Sequence, residues 1–181
     1  MSRHDLPGTA DEKVLPLESR PLGILSAQLD TPAQLLGQTP RGDRKIVRVN
    51  GGHLIGPRLK AEIIPGGGDW ALTRADGVLE LDVRLTLLTD DGALIYVTYT
   101  GYRHAPADVA ARLARGEQVS PSDMYFRIAP RFETADPRYE WLNRILCVGI
   151  GERGGGRGCR RRVGGLRGGG GHGKGDQRER R

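Results

Sequence analysis

Between positions 79 and 87 apolar and polar residues alternate without a break: Leu79, Leu81, Val83, Leu85 and Leu87 against Glu80, Asp82, Arg84 and Thr86. A period of two is the signature of a β-strand with one apolar and one polar face. Asp76-Gly77 before it and Asp90-Asp91-Gly92 after it are turn sequences. Residues 93–102, rich in β-branched and aromatic side chains, then read as the returning strand of a hairpin.

The same reading predicts strands over residues 22–29, 44–50, 124–129 and 141–150, with shorter apolar pieces at 53–55 and 59–64. Residues 30–37 are expected as a turn or one helical turn, because Thr31 can cap and Pro32 suits a first helical position. Gly51-Gly52 is expected to end a strand, and Pro65-Gly66-Gly67-Gly68 to form a sharp loop. One helix is predicted over 106–116, with Pro at its first turn, Asp108 early, Arg112 and Arg115 late and Gly116 at its end. About eight strands, antiparallel connections and a single short helix define an all-β fold, an antiparallel β-barrel whose closure removes exposed edges.

Three zones follow: a flexible N-terminus over 1–19, a barrel domain over 20–153, and a disordered Gly/Arg-rich tail over 154–181. From Gly151 onward there are 13 glycines, no aromatic residue, and only Val163 and Leu166 as branched aliphatics. Such a segment has too little apolar surface to offset its ordering entropy.

Net charge changes one conclusion. The whole chain carries +6, but residues 151–181 alone carry +7, so the first 150 residues carry −1. Every aromatic residue lies between Trp70 and Trp141, away from the basic tail. A nucleic-acid surface interleaves the two. Nucleic acid is therefore an outside reading, confined to the tail. No apolar run approaches the ~20 residues that span a bilayer, and no apolar leader opens the chain, so a cytoplasmic protein without membrane contact is expected. Cys147 sits in the apolar run Ile145-Leu146-Cys147-Val148 and is expected as a buried thiol. Neither cysteine nor histidine has ligand spacing, so no metal site and no cofactor is predicted.

Several short pieces occur in a distinctive order: Gly51-Gly52 with Gly56-Pro57, Gly66-Gly67-Gly68-Asp69-Trp70, Asp76-Gly77, Asp90-Asp91-Gly92-Ala93-Leu94-Ile95, and Phe132-Glu133-Thr134 with Tyr139-Glu140-Trp141-Leu142-Asn143. Over residues 22–153 the chain resembles domain-of-unknown-function family 3237, also called uncharacterised protein family 0311. The resemblance implies a compact antiparallel β-barrel and no particular reaction. It also implies one further short strand, bearing Tyr and Val, after Arg153. Gly/Arg sequence stands there instead, which reads as a shifted reading frame or a mispredicted gene end. A barrel missing its closing strand, marginal in stability, aggregation-prone or rescued by pairing edges in a homodimer, is the expected consequence.

Candidate chemistry rests on the polar faces. If they point inward, Asp82 and Arg84 of one strand meet Tyr125 and Arg127 of another in a cavity suited to a small polar or anionic ligand. Arg84 is then expected inside the barrel and both tryptophans buried. The alternative is a solvated outer face with weak cross-strand ion pairs. Asp69-Trp70 after three glycines offers a general base or acceptor beside a pocket wall, or else a turn residue and a core residue. Glu133 and Asn143 form a second cluster, in which Asn143 either bonds backbone or faces the cavity. The eight candidates for ligand binding are thus Asp69, Trp70, Asp82, Arg84, Tyr125, Arg127, Glu133 and Asn143. The function expected is binding of a small organic molecule in an internal polar pocket. The alternative is a cofactor-independent isomerase or cyclase using Asp69 or Glu133 as its proton-handling carboxylate. Fold alone does not separate them.

Overall fold

The computed structural model describes residues 18–153 and 158–166. Ten strands and one α-helix are built from them: β1 (Ser19–Leu29), β2 (Gln34–Thr39), β3 (Gly42–Ile55), β4 (Lys60–Asp69), β5 (Leu72–Thr73), β6 (Leu79–Thr89), β7 (Leu94–His104), α1 (Ala107–Ala114), β8 (Tyr125–Glu133), β9 (Cys147–Arg153) and β10 (Gly158–Leu166). Eight of the strands, in the order β1-β3-β4-β6-β7-β8-β9-β10, pair antiparallel with their neighbours, and β10 returns to β1. This is an up-and-down barrel with no open edge in its wall. The short β2 and β5 extend it beside β3.

Alternation decides which face turns in. On β6 the odd positions, Leu79 to Leu87, are buried, and their phase continues across the ladder as Ile95, Val97 and Tyr99 of β7 and Phe126, Ile128 and Phe132 of β8. Leu25 of β1, Leu54 of β3 and Val163 of β10 complete the lining. Each large side chain so buried stabilises the fold by roughly 1.5–3 kcal/mol relative to exposure. The even positions face solvent. Cys147 is a buried thiol, and burial pushes its pKa up to about 11.

The strand at 158–166 corrects the expectation that the fold ends at Arg153. Gly158–Leu166 pairs with β9 on one side, Cys159 opposite Arg153 through Gly165 opposite Cys147, and with β1 on the other. Two ladders satisfy its backbone, and Val163 is buried in the interior. Arg162 points outward to Glu152 at 3.1 Å. The expected missing strand is present, so the barrel needs no partner to close it. The remaining tail, 154–157 and 167–181, and the N-terminal residues 1–17 lie outside the described residues.

Three local readings also differ. Residues 34–39 form β2 rather than a helical turn, because β3 offers them a backbone ladder while Leu35 and Leu36 stay exposed. Gly51-Gly52 does not end a strand: β3 runs through it, and a Cβ on Gly52 would stand 2.1 Å from the Ser26 carbonyl oxygen. Residues 65–68 are no loop but the irregular middle of β4, where the register shifts between Ile64 and Gly68. Glycine is needed there because a Cβ on Gly67 would meet the Arg84 carbonyl oxygen at 2.5 Å. Finally, residues 140–144 are a 3-10 turn, and the last apolar strand starts only at Cys147. That turn buries Leu142 completely and, with Tyr139, packs into the core at the β6–β7 turn end of the barrel.

Candidate functional site

The polar face of β6 is the outer wall. Asp82 and Arg84 each keep 46% of their side-chain surface exposed and pair with one another at 3.3 Å. Arg84 lies over the Trp70 ring at 5.0 Å, so these three residues do come together, but outside the barrel. Both tryptophans are half-buried rather than core, and Arg58 covers Trp141 at 3.8 Å. Tyr125 and Arg127 lie on the outer face of β8, with the Arg127 guanidinium 5.1 Å from the Tyr125 ring and His104 stacked on that ring at 4.9 Å. Glu133 is exposed. The inward placement expected of Arg84 is therefore overturned. Its physical cause is the alternation itself: the apolar half of the strand, Leu81, Val83 and Leu85, turns inward and gains more from burial than a charged face could.

Asn143 is structural. Its Oδ1 accepts from the Thr134 amide and its Nδ2 donates to the Thr134 carbonyl, both at 2.9 Å. It belongs to a polar lock at the closed end. There the Tyr139 hydroxyl donates to Asp91 at 3.0 Å, Thr89 Oγ1 donates to Asp91 at 2.5 Å, and Arg138 pairs with Asp91 at 2.9 Å and with Asp136 at 2.6 Å. Hydrogen bonds from Thr89 and then Tyr139 hold the Asp91 carboxyl below the usual carboxylate range. The Arg138 guanidinium holds Asp136 down to about 2. Burial, and then the Asp91 carboxylate, raises the Tyr139 phenol above its ordinary value.

Of the eight candidates only Asp69 reaches the interior. It ends β4 opposite Val83 of β6 and Val47 of β3, and its Oδ1 accepts from the Asp82 amide at 3.1 Å. Here the barrel holds a cavity of about 630 Å³. Its walls are mainly apolar: Ala27, Leu29, Val47, Val49, Leu81 and Val83, with Phe126 and, from helix α1, Ala110 and Leu113. Set into them are Lys45, Asp69, Tyr99 and Arg103. Asp30 also reaches the rim, where Arg48 pairs with it at 2.7 Å.

Register fixes the depth of each polar group. Asp69, Val83 and Tyr99 are consecutive ladder partners across β4, β6 and β7, so the carboxylate and the phenol stand on one level. Tyr99 is only 4% exposed. Arg103 lies four residues further along β7, opposite Leu79, which is about 13 Å nearer the mouth. Lys45 precedes Val47 by two residues on β3, and its amide donates to the Ala71 carbonyl beyond Asp69, so it too sits mouthward. Below the Asp69–Tyr99 level Leu85, Val97 and Leu87 close the floor.

Lys45, Tyr99 and Arg103 were not singled out by their sequence context, though a signal existed. Each falls in the inward phase of its strand, Tyr99 and Arg103 with Ile95 and Val97, Lys45 with Val47 and Val49. A further concavity of about 710 Å³ lies on the outer wall between Ile24, Ile55, Val148 and Ile150, and its charged residues are Arg127 and Arg162. No group of three or more metal-ligating side chains exists among the described residues, nor any helix long and apolar enough to cross a membrane.

Known proteins match over the barrel. The model of the family described as "Protein of unknown function (DUF3237)" matches residues 18–163, which takes in β10 as far as Val163. A UPF0311 protein of Rhodopseudomonas palustris is 38% identical over 117 residues, covering 65% of this chain and 76% of that protein. One from Clostridium acetobutylicum is 35% identical over 125 residues, 68% of this chain and 78% of that protein. Among solved structures, a β-barrel-like protein from Acinetobacter baumannii superposes with a TM-score of 0.74 at 38% identity, over 84% of this chain and 98% of that one. An enzyme from Penicillium herquei shares the fold at a TM-score of 0.61 and 22% identity, over 84% of this chain and 96% of that one.

Proposed function

We propose, from the premise that the chain belongs to the DUF3237 family, that it binds a small amphipathic organic molecule in the cavity at the mouth of its barrel. One observation carries the reading: a 630 Å³ space inside an otherwise filled barrel, apolar along most of its wall and set with Lys45, Asp69, Tyr99 and Arg103 at defined depths. Ligand sites have this composition and this size, roughly 300–1,000 Å³, with few polar groups to fix orientation. A barrel of eight strands that served only as a scaffold would fill its interior with side chains. This one does so at the floor and not at the mouth. Helix α1 supports the reading further, because it lays Ala110 and Leu113 over the opening and shields a bound apolar body from water. The eight residues first singled out contribute Asp69 to this site, and the other seven act on the surface or in the closed-end lock.

Titration with an uncharged solvatochromic dye tests it. The wild-type protein should bind the dye with a blue-shifted emission. Val83→Phe, which projects a ring into the cavity between Asp69 and Tyr99, should weaken binding about tenfold or more while leaving the melting temperature close to wild type. Dye binding unaffected by Val83→Phe would remove the cavity as the site.

A further inference from the structure

We infer that the mouth cavity selects an elongated organic monoanion, with its carboxylate held at the rim by Lys45 and Arg103 and a hydroxyl at its far end held by Asp69 and Tyr99. This rests on the reading of the cavity as a ligand site and adds the chemical class of the ligand and its direction of entry.

The charges around the cavity are sorted by depth. Among the described residues, two cations stand at the rim, Lys45 on β3 and Arg103 on β7. The rim carboxylate, Asp30, is engaged by Arg48. The other carboxylate, Asp69, lies at the deep level with Tyr99, about 13 Å from Arg103 along the wall. A cationic rim over an anionic floor rejects a molecule that is negative at both ends and favours one that enters neutral end first.

Each level matches one chemistry. Arg103 presents a planar fork to a carboxylate, and its guanidinium is placed over the Phe126 ring at 5.9 Å. At the deep level a carboxylate accepts and a phenol both accepts and donates, which together satisfy a hydroxyl on the ligand. Between the levels the wall carries Leu81, with Val47 and Val83 at the deep level itself and Ala110 and Leu113 of helix α1 lining the same cavity, which offers nothing to a polar linker and suits an aromatic or aliphatic body. Arg103 and Lys45 stand three strands apart around the wall, so the carboxylate is gripped from two sides.

Three probes of matched shape separate the parts: 4-hydroxycinnamate, 4-hydroxycinnamyl alcohol, which lacks the carboxylate, and cinnamate, which lacks the hydroxyl. By calorimetry the wild-type protein should bind the first about tenfold more tightly than either of the others. Arg103→Gln should abolish the preference over the alcohol and keep the preference over cinnamate. Tyr99→Phe should do the reverse. Both variants should still bind the uncharged dye. If the alcohol binds wild type as tightly as the acid, or none of the three binds while the dye still does, the inference is overturned and the cavity remains a ligand site. If the dye also fails, the underlying reading goes with it.

Discussion

The two ends of the barrel are built from the same side-chain types, a carboxylate, a tyrosine and an arginine, and differ in what lies between them. At the closed end Tyr139 reaches Asp91 at 3.1 Å and Arg138 reaches it at 2.9 Å, and Leu142 seals the space behind them. Every group there is held by another part of the protein, and the result is a lock on the β6–β7 turn. At the mouth Asp69, Tyr99 and Arg103 line a cavity, spread over two depths and separated by apolar wall. The comparison teaches that polar side chains inside a small barrel are not by themselves a site. The cavity and the spacing between the groups make one.

The largest expected effect falls on the wall that both ends share. Deleting residues 154–181 removes β10, both of its ladders and Val163, and leaves β1 and β9 as bare edges. The loss should be comparable to the ~5–15 kcal/mol stability of a whole domain, seen as loss of a cooperative urea transition. A truncated chain that unfolds like the full one would show that β10 does not close the barrel.

Next in size, Leu142→Ala at the closed end should lower unfolding free energy by about 2–5 kcal/mol, because its site is fully packed. Leu113→Ala at the mouth should cost about 1 kcal/mol, since its side chain already borders open volume. Equal losses in urea unfolding would erase the distinction between a filled end and a hollow one.

A smaller effect comes from pH. Asp91 and Asp136 have folded pKa values below the ordinary carboxylate value. Their contribution to stability is fully present above the unfolded value of about 3.9 and is lost as pH falls through the folded one. The melting temperature should therefore fall between pH 4 and pH 2, with part of that fall extending to the Asp136 value of about 2. Arg138→Gln removes the guanidinium that both carboxylates share and should flatten this limb. An unchanged acid limb in Arg138→Gln would break the account of the lock.

Much of the wall was legible in the sequence because its signals are local. The strict alternation of 79–87 and the turn residues on either side specify β6, β7 and their hairpin, and helix α1 carries its own end signals. The strand β10 was not legible, since Gly-Cys-Arg-Arg-Arg-Val-Gly-Gly-Leu has no periodicity of its own. Two neighbouring backbones, far away in sequence, make it a strand. The site was misread for a related reason. A polar face on a barrel strand turns to water, so Asp82, Arg84, Tyr125 and Arg127 marked the outside. The informative residues were polar ones in the apolar phase: Lys45 among Val47 and Val49, and Tyr99 and Arg103 after Ile95 and Val97. Asp69 was found only because the glycines before it drew notice to the place where β4 bulges.

Amide shift mapping by NMR during titration with 4-hydroxycinnamate tests the central claim most directly, since it reports both ends and the outer wall at once. The account predicts the largest shifts at Asp69, Val83, Tyr99, Arg103 and Ala110, and none at Asp91, Tyr139 or Asn143. Shifts clustered instead on Ile24, Val148 and Ile150 of the outer wall, with the mouth silent, would contradict it.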